Sequence, residues 1–443
     1  MNLKRTRRIA LLGMLSCCVL SALWGFSMER ASPDGMIDFK GTFYAARCLL
    51  QHSDPYKDGE PLRVYLAEEN DRPSPSHVLR QALSQNIYLP TTYIFIAPLA
   101  LLSWEPAHLL WMMLSAGSLI LAALLTWNRA ASYTPAITGA LICFILANCE
   151  AVLATGNPAG MVVGLCVVAV WCFLEERFVW AGILCLAVSL AIKPHDAGLV
   201  WLYFVLAGGT YRKRALQTLV VIAVLSLAAI LWISAVAPHW LPELHTNFLA
   251  QSAPGGQAYP GPSSADTGSG PSMIINLQSA VYVFSDNPLV YNSISYLICG
   301  ALLLIGLVHT LRTRFSTARA WVALAAIAPL TVLVTYHRPY DAKLLLLAVP
   351  ACAMLWTEGK PIRWIALLVT AAGIVFTADI PLAILLTLTG NLHISTARLS
   401  GEILTVVLTR PTPIILLAMG IFYLWVYLRH SKPDIEFTQR VSE

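Results

Sequence analysis

Charge is what this chain most lacks. Only 12% of its 443 residues are charged, against 57% hydrophobic, and the mean hydropathy is +0.66. Too little polar surface remains to cover a soluble globule of this size. A cysteine framework is missing as well. Of the ten cysteines, all but Cys48 lie inside apolar stretches (Cys17, Cys18, Cys143, Cys149, Cys166, Cys172, Cys185, Cys299 and Cys352), which excludes a disulfide scaffold and zinc-finger spacing. There is no acidic cluster suited to Mg²⁺ or Mn²⁺, so neither metal nor cofactor is expected and activity should survive a chelator. No basic face is present either: the net charge of +5 is spread in small clusters between apolar runs, which argues against a nucleic-acid partner. Nor is an internal repeat visible, so a duplicated transporter is unsupported.

What is present reads as an all-α polytopic membrane protein. Runs long enough to cross roughly 30 Å of hydrocarbon recur near 106–128, 135–154, 158–174, 178–192, 215–237, 289–310, 318–335, 341–356, 361–385 and 411–428. They follow a first run, Ile9 to Phe26, that stands behind Lys4-Arg5-Thr6-Arg7-Arg8 and reads as an uncleaved span with an inner N-terminus. Two shorter pieces, 88–104 and 195–209, are ambiguous. If 88–104 is re-entrant and 195–209 crosses, then Arg129, Arg177, Arg212-Lys213-Arg214, Arg312, Arg314, Arg319, Lys360, Arg363, Arg429 and Lys432 all face inward, as the positive-inside rule asks. This topology has about a dozen spans in a cell (inner or plasma) membrane. A membrane module is expected over 1–356, including outer loops 28–87 and 238–288. C-terminal helices should cover 357–430, and a cytoplasmic tail 431–443.

Three outer segments follow. The first, 28–87, holds Asp38, Tyr44 and Asp54-Pro55-Tyr56 and has room for short interfacial helices. The second, 238–288, includes the Pro/Gly/Ser-rich stretch Gln251 to Ser272, too poor in apolar residues to fold alone. The third, 389–409, carries His393 and Arg398. Polar residues gather at the same boundary: Glu150, Gly156-Asn157-Pro158, Lys193-Pro194-His195-Asp196, Asn276-Leu277-Gln278 and His337-Arg338-Pro339-Tyr340-Asp341. Ionisable groups at membrane depth cost several kcal/mol unless paired or wet, so a set of them points to a cavity.

Such a cavity suits glycosyl transfer from a lipid-phosphate donor. A carboxylate beside an acceptor hydroxyl takes its proton as the new bond forms, and Lys, Arg and His donors opposite stabilise the departing phosphate. Structural readings stand beside this one. Asp38 suits a helix N-cap, Asp54-Pro55-Tyr56 a turn, Lys193 a snorkelling residue, His337-Arg338 an interfacial anchor, and Glu150 a hydrogen bond between spans. The Trp and Tyr residues, among them Trp104, Trp127, Trp240 and Tyr291, suit aromatic belts. A flippase for lipid-linked saccharides, or a proton-coupled carrier, would use the same charged groups as a relay. The long first loop favours an enzyme, because carriers place their sites near the midplane between repeated halves.

The order of short motifs resembles glycosyltransferase family 87 of the GT-C superfamily. Ile37-Asp38-Phe39 with Tyr44, then Asp54-Pro55-Tyr56, resembles the family's first-loop signature. Tyr88-Leu89-Pro90, Ala97-Pro98-Leu99-Ala100, Leu110-Trp111, Gly156-Asn157-Pro158, Ala181-Gly182, Ile192-Lys193-Pro194, Asn276-Leu277-Gln278-Ser279 and His337-Arg338-Pro339-Tyr340-Asp341 continue it in order, over roughly 30 to 350. The resemblance implies a transferase that uses a polyprenyl-phosphate sugar, mannose in the characterised members, and inverts the anomeric centre. It makes Asp38 the general base and His337 a donor-binding residue; the polar set itself puts Lys193, His195 and Arg338 around the phosphate with them. Tyr44, Asp54, Tyr56, Asn157, Asp196, Asn276, Gln278 and Asp341 would support them. The acceptor would be a lipid, glycan or protein outside the cytoplasm. Two positions depart from the pattern: Asn157 replaces a frequent glutamine, and Thr91 replaces a proline.

Overall fold

The computed structural model describes residues 3–32, 34–68, 75–261, 274–359, 361–389 and 398–429. The expected tail at 431–443 and His393 lie outside the described residues, as does the second half, 262–272, of the Pro/Gly/Ser-rich stretch. Among the described residues the chain is helical throughout, with no strand. Seven helices are long and apolar enough to cross a membrane: Lys4–Ala31, Trp104–Ala130, Pro135–Thr155, Gly209–Val236, Pro288–Arg312, Thr317–Val334 and Pro411–Arg429. The pair Ile362–Phe376 and Asp379–Leu385 would make an eighth but bends by 73°.

Apolar composition alone builds these helices, since none has a marked polar face and several turn large side chains outward. Leu297 is 73% exposed and Leu231 63%, as expected of surfaces whose solvent is lipid. The buried middle is made by Ala159–Leu174, Val179–Ile192 and Thr317–Val334, whose residues dominate the main core cluster. Close approach sets its geometry: a Cβ on Gly164 would stand 2.6 Å from the Ser118 carbonyl carbon, so only glycine lets the 159–174 helix lie against Trp104–Ala130.

The segment after the first helix folds back as three short helices, Ile37–Leu50, Glu60–Glu68 and His77–Ser84, followed by Pro90–Ala100. With 11 residues, Pro90–Ala100 is about 16 Å long, short of a full crossing. These helices share a second core in which Phe39, Phe43 and Tyr44 pack on Trp104 and Trp111. The core seats the start of Ile37–Leu50, and with it Asp38, against the membrane helices. The expected crossing at 341–356 begins as a tight 3₁₀ turn, Asp341–Leu347, before Ala348–Glu358 continues as α-helix.

Candidate active site

Asp38 sits in the first turn of Ile37–Leu50, where the helix N-terminus favours a negative charge. It is not the N-cap. That position belongs to Met36, which adopts the left-handed conformation at φ 58° and donates its N–H to the Ala154 carbonyl at 2.7 Å. Opposite, Gly156 also has a positive φ of 65° and lies so close that a Cβ would meet that of Phe39 at 2.7 Å. Glycine is required there on both counts. Trp111 Nε1 donates to the Gly156 carbonyl at 2.8 Å, which fixes the turn that presents Asn157.

The orientation of Asn157 follows from its bonds. Its Oδ1 accepts the Ala159 N–H at 2.9 Å, capping the next helix. Nδ2 is therefore the end that faces the site, donating to Asp38 Oδ2 at 2.8 Å and to the Tyr340 hydroxyl at 3.0 Å. One buried amide thus joins the first-loop acid to the His337–Asp341 segment. The glutamine of the resembled pattern is longer by one methylene, and the shorter Asn serves here as cap and bridge together.

Beyond Tyr340 lies a buried charge cluster. Lys193, between Val179–Ile192 and Pro194–Ala207, points Nζ at Asp341 Oδ1 (2.5 Å) and Asp196 Oδ2 (3.4 Å), and stands 5.7 Å from the Tyr340 ring centroid. Asp341 Oδ2 accepts the Arg338 backbone N–H at 2.8 Å. His337 is fully buried, with Nε2 3.0 Å from Asp196 Oδ1, and His195 Nε2 is 3.8 Å from the same oxygen. Arg338 donates from Nε to the Tyr336 hydroxyl at 2.6 Å and from Nη2 to the Gln257 carbonyl at 3.4 Å. Tyr336, then Tyr340 and the Asp38 carboxylate, hold Arg338 more firmly charged than usual, against the opposing effect of burial.

The structure therefore places Asp38, Asn157, Lys193, His195, Asp196, His337, Arg338 and Asp341 in one contiguous polar region. The remaining candidates serve as its scaffold. Tyr44 is buried edge-on to Tyr65. Asp54 Oδ1 accepts the Tyr56 N–H at 2.9 Å in a turn, and the Tyr56 hydroxyl donates to the Tyr88 carbonyl. Asn276 caps Leu277–Val281, Gln278 Nε2 donates to the Val334 carbonyl at 2.8 Å, and Ile275 N–H donates to the His337 carbonyl at 3.0 Å. The 275–278 segment thus braces the histidine loop from behind. Glu150 belongs elsewhere: it borders a separate pair, Lys343 and Asp379. Sequence reasoning did not single out Tyr340, whose hydroxyl completes the bridge, or Tyr88, which lies within electrostatic reach of Asp38, Lys193 and Asp341.

A carboxylate at one end, fixed hydrogen-bond donors between, and cations at the other can accept a proton and receive an anion in the same space. No curated protein matches the chain. Residues 86–335 match the family model described as glycosyltransferase family 87, beginning after Asp38 and covering more than half of the chain. On that match, the chain belongs to glycosyltransferase family 87.

Proposed function

We propose that this membrane glycosyltransferase moves a hexose, mannose by family resemblance, from a polyprenyl-phosphate donor to a lipid, glycan or protein acceptor outside the cytoplasm. In this reading the acceptor hydroxyl oxygen bonds to the anomeric carbon while its proton passes to Asp38. The bond from that carbon to the phosphate oxygen breaks, and its electron pair leaves with polyprenyl phosphate. A single displacement of this kind inverts the anomeric centre. Asp38 acts as general base. Arg338 binds the leaving phosphate, with His195 and His337 at the edge of the same pocket, while Lys193, already shared by two carboxylates, keeps the cluster ordered.

The observation that carries the reading is the Asn157 bridge. It holds a half-buried carboxylate and the cluster that contains Lys193 and Arg338 within one hydrogen-bonded region, as base-assisted attack on a bound donor requires. An apolar crevice of about 310 Å³ lends further support, lined by Leu199, Leu202 and Leu206 beside Leu307, Ile327 and Leu330. Leu199 lies one turn beyond His195 along Pro194–Ala207, and the Thr317–Val334 helix that supplies Ile327 and Leu330 leads directly into Tyr336–Arg338. A lipid-tailed anion fits this polar head above an apolar channel. The topology belongs to the same proposal: about a dozen crossings, with the site on the outer face.

The test is incubation of purified protein with a panel of polyprenyl-phosphate sugars and mass analysis of the products. Release of polyprenyl phosphate coupled to glycosylated acceptor is expected for at least one member. Turnover of a nucleotide sugar instead, with every polyprenyl phosphate inert, would refute the donor class.

A further inference from the structure

Three metal-ligating side chains, His195, Asp196 and His337, meet in the buried cluster. His337 Nδ1 lies 3.1 Å from the Thr335 carbonyl oxygen, a contact that calls for a hydrogen on Nδ1, so that in the neutral ring Nε2 is the atom free to bind a metal. Nε2 points at Asp196 Oδ1, 3.0 Å away. Neither atom has a hydrogen-bond partner among the described residues. His195 Nε2 approaches the same oxygen at 3.8 Å, and the two imidazoles stand 5.0 Å apart between centroids. Lys193 does not fill the gap, because its ammonium addresses Asp341 and the other oxygen of Asp196.

We propose that His195 Nε2, Asp196 Oδ1 and His337 Nε2 are the protein ligands of a divalent transition-metal site, zinc by ligand type, with a coordination position open to an anionic group. Two imidazoles and one carboxylate with a vacant fourth position are the donor set of catalytic zinc centres. The three ligand atoms lie within 4.8 Å of one another. Bonds of about 2.0–2.2 Å ask for a further approach chiefly from His195, whose side chain is 37% exposed and offers the entry path. The Thr335 carbonyl on the far nitrogen of His337 is the outer partner that metal-bound histidines commonly have.

Charge points the same way. Lys193 is one cation against the two carboxylates Asp196 and Asp341, all buried, while the Arg338 guanidinium is turned to Tyr336 and Gln257, so the negative charge left there is costly. A divalent ion would reverse the sign of the pocket and present a positive face. Metal binding stands independently of the transfer reading. The role of the ion, drawing charge from a leaving phosphate oxygen, rests on it. A metal-free site is the expectation from a search for acidic clusters, whereas the fold assembles a mixed set from positions far apart in the chain.

The test uses the full-length protein in nanodiscs with its affinity tag removed, exposed to zinc or cobalt and washed. Elemental analysis should give about one zinc per chain, and cobalt should show visible ligand-field bands. His195→Ala, at the exposed position, and His337→Ala should each weaken binding by more than about ten-fold, with thermal melting showing that each variant is folded. Background metal content with featureless cobalt spectra in the unmutated protein would overturn the proposal, as would unchanged binding in both folded variants. If metal binds as described while no polyprenyl-phosphate sugar is turned over, the metal site stands and the donor reading falls. If sugar is transferred by protein that binds no metal, the reverse holds.

Discussion

Two lysine–aspartate pairs are buried in this bundle, and they differ in what they leave unsatisfied. Lys343 Nζ lies 3.8 Å from Asp379 Oδ1, and Asp379 Oδ2 accepts the Ala151 N–H at 3.2 Å. In return Asn148 Oδ1 accepts the Ile380 N–H at 3.2 Å. Two helix breaks thus cap each other, and both oxygens of Asp379 are used. Around Lys193 the second carboxylate, Asp196, meets only the ammonium at 3.4 Å and the rings of His337 and His195 at 3.0 and 3.8 Å, and among the described residues no backbone N–H reaches either oxygen. The first pair is a joint in which orphan helix-end groups meet their partners. The second holds bonding capacity in reserve, and unspent capacity at a buried position marks a place where a ligand is received.

Substitution at the two lysines should separate these roles. Lys193→Met strands two carboxylates, so it should cost about 3–5 kcal/mol of stability and abolish transfer by whatever protein still folds. Normal turnover per folded molecule would merge the two pairs into one structural class. Lys343→Met leaves Asp379 without its ammonium and removes the cation beside Glu150, and should lower the melting temperature while leaving turnover per folded molecule near normal. Adding Asp379→Leu to it should restore most of the loss, because an apolar pair of similar volume replaces an ion pair at little cost. A double variant no more stable than Lys343→Met would show that Asp379 is needed for its bond to Ala151, independently of Lys343.

Smaller effects sharpen the comparison. Asn157→Ala removes the bridge but not the base, and misplacement of a catalytic group by about 1 Å costs on the order of 100-fold in rate. We expect a loss of that size in kcat with little change in donor KM. A change confined to KM would make Asn157 a binding residue. The mildest effect belongs to the helix Trp240–Ser252, docked through Asn247 Nδ2, which donates to the Tyr56 and Asn86 carbonyls at 2.9 and 3.1 Å. Burial, then the hydrogen bond and charge of Asp54, raise the Glu243 carboxyl to about 7. A raised acid binds its proton more tightly in the folded form, so this contact is strongest below the ordinary glutamate range of about 4.3 and weakens as pH rises to about 7. Hydrogen exchange over residues 240–252 should therefore quicken across that window, and Glu243→Gln should remove the dependence.

Much of this was legible in the chain because membrane solvent makes its demands simple. Long apolar runs can satisfy their backbone only as helices, so Trp104–Ala130, Gly209–Val236 and Pro288–Arg312 follow from hydropathy. The bends do not. The turn at 377–378 that splits 361–385 leaves composition unchanged, and the 3₁₀ start at Asp341 depends on Arg338 N–H capturing the Asp341 carboxylate. Polar residues at span ends stand out because they are costly there, which is why Asp38, Lys193, His195, His337 and Arg338 attract attention before any coordinates. That same signal groups Glu150 with them, although the charges beside it are Lys343 and Asp379, because cost alone does not say which buried charges share a pocket. Tyr340 is quoted within the His337–Asp341 motif but given no role of its own for the opposite reason, since tyrosines at a membrane boundary are ordinary. The meeting of His337 with Asp196 appears only once the chain has folded.

Asp38→Asn tests the central claim most directly. The amide keeps an acceptor for Asn157 and removes the base, so donor binding and transfer should part company. Measured with a labelled polyprenyl-phosphate sugar in a single turnover, the variant should bind donor as the unmutated protein does and transfer none of it. Transfer at a comparable rate, or an equal loss of binding and transfer, would contradict the assignment of Asp38 as the base.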